Sequence, residues 1–164
     1  MTYEPRVIGI DIYRDLPVEP GHQALTDLLA NHSNIVGVEK VIGNVAVSPP
    51  AALSPEQVGF VDFPLDPDGF LRRTYLGSLP SLTTPDPDRF RFSFGLKLAK
   101  IYLAGENITL ENGLRNPDNF RFGEVELFQL DARTGGDVDL DDAGVQRLVN
   151  PRSGEMPFDT VSMA

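Results

Sequence analysis

The chain predicts an α/β fold in which a mixed, partly parallel β-sheet is flanked by helices, and three observations carry that prediction. Two apolar runs rich in isoleucine and valine, residues 6–13 and 35–41, enclose a segment where His22, Leu25, Leu28 and Leu29 recur at helical spacing. Strand, helix, strand in that order favours parallel pairing through a right-handed crossover. Residues 58–79 read as a β-hairpin, because Asp66-Pro67-Asp68-Gly69 supplies a preset first corner, a carboxylate for turn amides and a residue tolerant of positive φ. At 164 residues and 41% apolar, the chain suits one domain with one core, residues 1–164.

The elements follow in chain order. Residues 6–13 form a strand buried on at least one face, with Asp11 and Asp15 at and just beyond its far end. Pro17, Pro20 and Gly21 break regular structure before the helix that runs to Asn31. In the strand at 35–41, Lys40 is the one cation in an apolar setting. It lies at the strand mouth or pairs with a carboxylate such as Asp11. Residues 43–55 carry Pro49, Pro50 and Pro55 without a period, and form a loop able to cover a site. The hairpin's returning arm, 71–79, begins with Arg72 and Arg73, which point to opposite faces if extended. Residues 80–87 resemble a linker. From Ser93 as cap, Phe94, Leu98, Ile101 and Tyr102 share a helical face, and Gly105 stops that helix. DRFRF at 88–92 and DNFRF at 118–122 echo one another, but a single short echo is no repeat architecture. The second copy continues through Val125, Leu127 and Leu130 as a strand, Gly135 and Gly136 open a turn, and 145–150 is a further strand. The tail 158–164 has β or early-helix character.

Composition excludes several functions. Fourteen basic against 24 acidic side chains give −10, which repels a nucleic-acid backbone or an anionic lipid surface. The absence of cysteine excludes disulfides, thiolate metal sites and cysteine nucleophiles. Asp137, Asp139 and Asp141 alternate as in a calcium loop, yet Asp142 stands where glycine is needed and Leu148 where the bidentate glutamate belongs. His22 and His32 are the only imidazoles, too few for zinc. No serine sits in a nucleophile elbow, and the turn at 14–19 is acidic and proline-stiffened, unlike a phosphate cradle. No metal and no cofactor is expected.

The charged residues at predicted strand ends are Asp11, Arg14, Asp15, Lys40, Asp62, Arg72 and Arg73. Both signs together suit a small polar or zwitterionic ligand, and equally an internal ion-pair network. Two other classes stay open. A carboxylate hydrolase would use Asp11 and Asp62 within ~10 Å across an open cleft. A dimerisation spacer would show an apolar patch and no pocket.

The runs VIGIDIYRDLPVEPG at 7–21 and IVGVEK at 35–40, then VGF at 58–60 with Asp62, Asp66, Asp68-Gly69 and Arg72-Arg73, resemble the type-two CHASE domain, a cyclase- and histidine-kinase-associated sensory extracellular domain of bacterial receptors. Softer matches are Ser93-Phe94 with LKLAKIYL at 96–103, and Leu148-Val149-Asn150 with Arg152. The resemblance implies a non-enzymatic, extracytoplasmic part of a plasma- or inner-membrane protein, with membrane helices before and after it and a cytoplasmic kinase or cyclase as output. The partners it implies are a small ligand of unassigned identity, those flanking segments and, as an open alternative, a second copy of the domain. An opening strand-helix unit before Arg6 and closing strands after Ala164 belong to the full pattern, so the chain reads as a piece of a larger receptor.

Overall fold

A computed structural model describes residues 4–80, 89–131, 143–150 and 159–160. The linker-like stretch after Pro80, the Gly135-Gly136 turn with its acidic run, and most of the tail lie outside these residues. Strands β1 (Ile8–Gly9), β2 (Ile35–Glu39) and β3 (Val58–Phe60) form a parallel sheet in the order β1-β2-β3. Helix α1 (His22–Asn31) makes the first crossover. The α/β class and the parallel pairing are therefore as the sequence predicts.

Burial explains why β2 is central. All five of its residues are buried, the pattern of a parallel strand covered on both faces. One face, with Ile35 and Val58, packs against Leu29 and Leu25 of α1 and against Leu53. The other receives α2 (Phe94–Ala104), whose Phe94 and Leu98 lie over Gly9 and whose first turn sits directly on Gly59. A Cβ on Gly59 would lie 2.5 Å from Phe94 Cα and 2.7 Å from its nitrogen, so the absence of a side chain sets the helix-to-sheet distance.

The first strand is shorter and more exposed than the sequence predicts. The strand is only Ile8–Gly9, it is an exposed edge, and Ile8, Ile12 and Tyr13 are about half exposed, so burial of the whole 6–13 run does not occur. Leu28 likewise faces solvent while His22, Leu25 and Leu29 face inward. In α2 the most buried residues are Leu96 and Lys97 rather than the predicted face alone, and Tyr102 is exposed beneath the Arg6 guanidinium. Ser93 caps α2 as expected, its hydroxyl accepting from the Leu96 amide at 3.4 Å, and the helix closes at Gly105. The left-handed residue there is Asn107.

Residues 58–79 do not form the predicted hairpin. The chain does reverse at Asp66–Gly69, where the Gly69 amide donates to the Asp66 carbonyl at 2.8 Å and Gly69 takes φ +81°. Its two arms, however, join different sheets. β3 pairs with β2, whereas β4 (Arg73–Ser78) pairs antiparallel with β5 (Arg91–Phe92) and β9 (Val145–Leu148), in the order β5-β4-β9. A turn motif specifies the reversal, and side-chain burial further along each arm specifies the partner. A parallel bridge, Phe60 to Ser93, links the two sheets. Across the link Phe60 meets Tyr75 at 5.9 Å between ring centroids.

The third sheet is a meander of β6 (Leu110–Asn112), β7 (Phe120–Phe122) and β8 (Val125–Leu127). Gly123, at φ +56°, turns what the alternating pattern reads as one strand from 120 to 130 into two. Residues of the echoed motifs meet here, with Phe90, Phe92 and Phe120 in edge-on ring contacts of 5.6–6.3 Å.

Gly59→Ala is expected to destabilise the fold by about 3 kcal/mol, because the clash is with helix backbone that cannot rotate away. Gly95→Ala, which meets no atom within 4 Å, is expected to be neutral or stabilising. Chemical denaturation of the two variants checks the contrast.

Candidate functional site

The seven charged residues at predicted strand ends separate into three groups. At the Asp66 turn, the Asp66 carboxylate binds both arginines. Its Oδ1 accepts from Arg73 Nε at 2.9 Å and lies 2.8 Å from Arg73 Nη2, while Oδ2 accepts from Arg72 Nη1 at 2.9 Å. Arg72 also grips both oxygens of Asp68 at 2.8 and 2.9 Å and lies over the Phe70 ring. The two guanidinium groups differ in surroundings: Arg72 is half exposed and Arg73 only 6% exposed. Arg73 Nη1 donates to Gln146 Oε1 at 2.7 Å, and Gln146, fully buried on β9, donates in turn to the Ala143 carbonyl. This is a clamp tying the turn to the β4–β9 pair. The bonds to Arg72 and Arg73 hold the Asp66 carboxyl below the usual carboxylate range.

The second group lies at the strand mouth. Lys40 Nζ donates to Asp62 Oδ1 at 2.7 Å and to the Ile42 carbonyl at 3.0 Å, while the Val41 amide donates to Asp62 Oδ2 at 2.9 Å. Lys40 is thus at the mouth, and its carboxylate is Asp62 rather than Asp11. Tyr13 stands close by. Burial first, and then the Asp62 charge, push its phenol above the ordinary value, with Lys40 opposing and Asp11 adding. Asp62 is 4% exposed with both oxygens occupied, so it cannot serve as a hydrolytic partner for Asp11 across an open cleft.

The third group is Asp11, Arg14 and Asp15, which are exposed and make no side-chain hydrogen bond or ion pair among the described residues. Arg14 and Asp15 border a cavity of about 450 Å³ beneath the β1–α1 loop, closed by His22, Leu25 and Leu29 of α1 and by Pro50. Arg14 also borders an adjoining apolar recess of about 110 Å³ that reaches Gly37. The carboxyl end of a parallel strand is where open α/β sheets receive ligands, and a cavity this size suits a small molecule. A cavity is the feature a pure spacer should lack.

A further cleft was missed by sequence reasoning. Glu39 is 6% exposed at the end of β2, and Arg89, Arg91 and Lys97 surround it. Burial pushes its carboxyl above the usual range against the pull of Arg91, Arg89 and Lys97. Lys97 donates to the Pro55 carbonyl at 3.1 Å and shares the Glu56 carboxylate with Lys100, both ammonium groups lying over the Phe92 ring. The available signal was the alternation in DRFRF, which sends Arg89 and Arg91 to one side and Phe90 and Phe92 to the other. Glu39 itself, closing an otherwise apolar strand, was a second signal.

Geometry therefore defines an α/β domain with a cavity at the carboxyl edge of a parallel sheet. Among the described residues no group of three or more potential metal ligands occurs, and no helix is long and apolar enough to cross a membrane. The chain belongs to the CHASE2 domain family, whose model matches residues 1–164, the whole chain. CHASE2 domains are extracytoplasmic sensory domains and not catalysts, which is the class that the resemblance implies. No curated protein and no solved structure matches the chain.

Arg73→Ala is expected to cost about 1–3 kcal/mol, because it leaves the buried Gln146 oxygen without its Arg73 donor and Asp66 with Arg72 alone. Arg72→Ala is expected to shift the unfolding midpoint far less, since its guanidinium is screened by water. The lowered Asp66 pKa stabilises the fold above the ordinary carboxylate range, and that contribution fades as pH falls through the folded value. Asp66→Asn should flatten the acid limb of a plot of unfolding midpoint against pH.

Proposed function

We propose that this chain is the signal-sensing input domain of a bacterial transmembrane receptor, in which a small polar ligand beneath the β1–α1 loop shifts a two-state arrangement that flanking helices relay to a cytoplasmic kinase or cyclase. Membership of a sensory family over the whole chain gives the class. The observation that supports a ligand is the cavity of about 450 Å³ bordered by Arg14 and Asp15. Four of the seven strand-end charges, Lys40, Asp62, Arg72 and Arg73, are engaged in ion pairs that hold loops together. Among the described residues, Asp11, Arg14 and Asp15 have no such pair.

The opposite charges of Arg14 and Asp15 suit a ligand with both polarities, and the apolar recess beside Arg14 can take a short hydrocarbon portion. Ligand bound here touches three parts of the chain: the edge strand's extension, the first turn of α1, and the loop at Pro50. Drawing them together moves α1 relative to the sheet, a displacement of the kind that a continuous helix passes on.

Two measurements test the reading. The natural reading frame containing residues 1–164 should encode membrane-spanning helices and a cytoplasmic output domain, and a frame with neither overturns it. In the intact receptor, Arg14→Ala and Asp15→Ala should each abolish the stimulus response while leaving the domain's unfolding midpoint within about 0.5 kcal/mol of the parent. Full response in both variants removes the ligand from this cavity.

A further inference from the structure

We infer that the cleft in front of Glu39 is a second recognition site, separate from the β1–α1 cavity, and that it takes a small amino or hydroxy acid whose donor group meets Glu39 and whose carboxylate meets Arg89. This goes beyond the sensory reading and uses residues that reading does not.

The Glu39 carboxylate is the starting point. Its side chain is 8% exposed and accepts no hydrogen bond from the described residues, and its cationic neighbour, Arg91 Nε, stands 3.9 Å away, an ion-pair distance outside hydrogen-bond reach. Buried carboxylates are normally held by donors, and leaving one without any is costly. Glu39 is not sealed in. It borders two clefts, of about 240 and 200 Å³, that share Pro55, Val58, Arg89 and Arg91 as well as Glu39 itself. The acceptor is thus desolvated, short of donors and turned toward a space large enough for a small metabolite.

The surrounding charges select among ligands. Arg89 borders both clefts, is exposed, and makes no side-chain hydrogen bond or ion pair among the described residues. Its guanidinium is therefore available for a carboxylate, which it can bind through two parallel bonds. Lys97 is already committed to the Pro55 carbonyl and Glu56. A divalent cation is disfavoured, because of the two carboxylates at the cleft Glu56 is already shared by Lys97 and Lys100, and the ion would face Arg89, Arg91 and Lys97. A simple anion is disfavoured too, since nothing on it could satisfy Glu39. One small molecule carrying both an ammonium or hydroxyl donor and a carboxylate answers both groups at once. The apolar wall of Pro49, Leu53 and Val58 accommodates a side chain.

The stability of the ligand-free protein offers an independent test. A carboxylate kept desolvated for a ligand weakens the ligand-free fold, whereas one kept for structure strengthens it. Glu39→Gln should therefore raise the unfolding temperature of the ligand-free protein and at the same time damage binding.

The experiment is a thermal-shift screen of the 164-residue chain against the standard L-amino acids and their 2-hydroxy analogues, followed by calorimetry, with acetate and methylamine as single-group controls. At least one of these acids should bind and raise the unfolding temperature while neither control does. Glu39→Gln and Arg89→Ala should each weaken binding by about tenfold or more, and Arg14→Ala should leave it unchanged. The inference is overturned if no member of the panel binds, if the controls bind equally well, or if Glu39→Gln lowers the ligand-free unfolding temperature. Binding lost in Arg14→Ala but kept in Glu39→Gln also overturns it, and leaves the sensory reading standing with its ligand in the other cavity.

Discussion

The contact on which most of this structure depends is the seating of the first turn of α2 on Gly59. Helix backbone lies against strand backbone there, with no room for a side chain between them. Because α2 begins at that point, Ser93 is held beside Phe60, and the bridge between them is the join from the parallel sheet to the antiparallel one. The same seating carries Lys97 to the Pro55 carbonyl and sets β5, with Arg91, opposite the end of β2. Fold and cleft thus share one constraint.

Charge in this protein is arranged rather than scattered. The chain carries −10 overall, yet Arg89, Arg91, Lys97 and Lys100 gather around Glu39 and Glu56. A locally cationic cleft on an acidic molecule favours small anions or zwitterions while the surface at large repels polyanions. The Asp66 clamp uses charge differently. There the buried Arg73 has its donors answered by Asp66 and Gln146, so its work is to fix the turn against β4 and β9.

The two cavities have a common wall. Pro50 borders the space beneath the β1–α1 loop, and Pro49 and Leu53 border the cleft before Glu39. That wall, residues 46–55, lies within the proline-rich loop at 43–55 that the sequence reads as able to cover a site. It is pinned at one end by the Lys40–Val47 bridge and at the other by a 3₁₀ turn, Pro55–Gln57, with a Ser54–Gln57 capping box. A segment fixed at both ends and exposed to two cavities in the middle is placed to respond to either.

Local chemistry was legible in the residues: the β-α-β order, the Ser93 cap, the reversal at Asp66–Gly69, and the gathering of charge at strand ends. Each depends on neighbours in sequence, where hydrophobic period, a capping hydroxyl or a positive-φ glycine acts directly. Tertiary structure alone decided partners. It sent the two arms of the supposed hairpin to different sheets, exposed the first strand as an edge, and split one alternating run into β7 and β8. It also decided which charges are occupied, pairing Lys40 with Asp62 and not Asp11, and leaving Glu39 desolvated beside Arg89. Those outcomes turn on long-range burial and on distances between residues far apart in the chain, and no local pattern encodes either quantity.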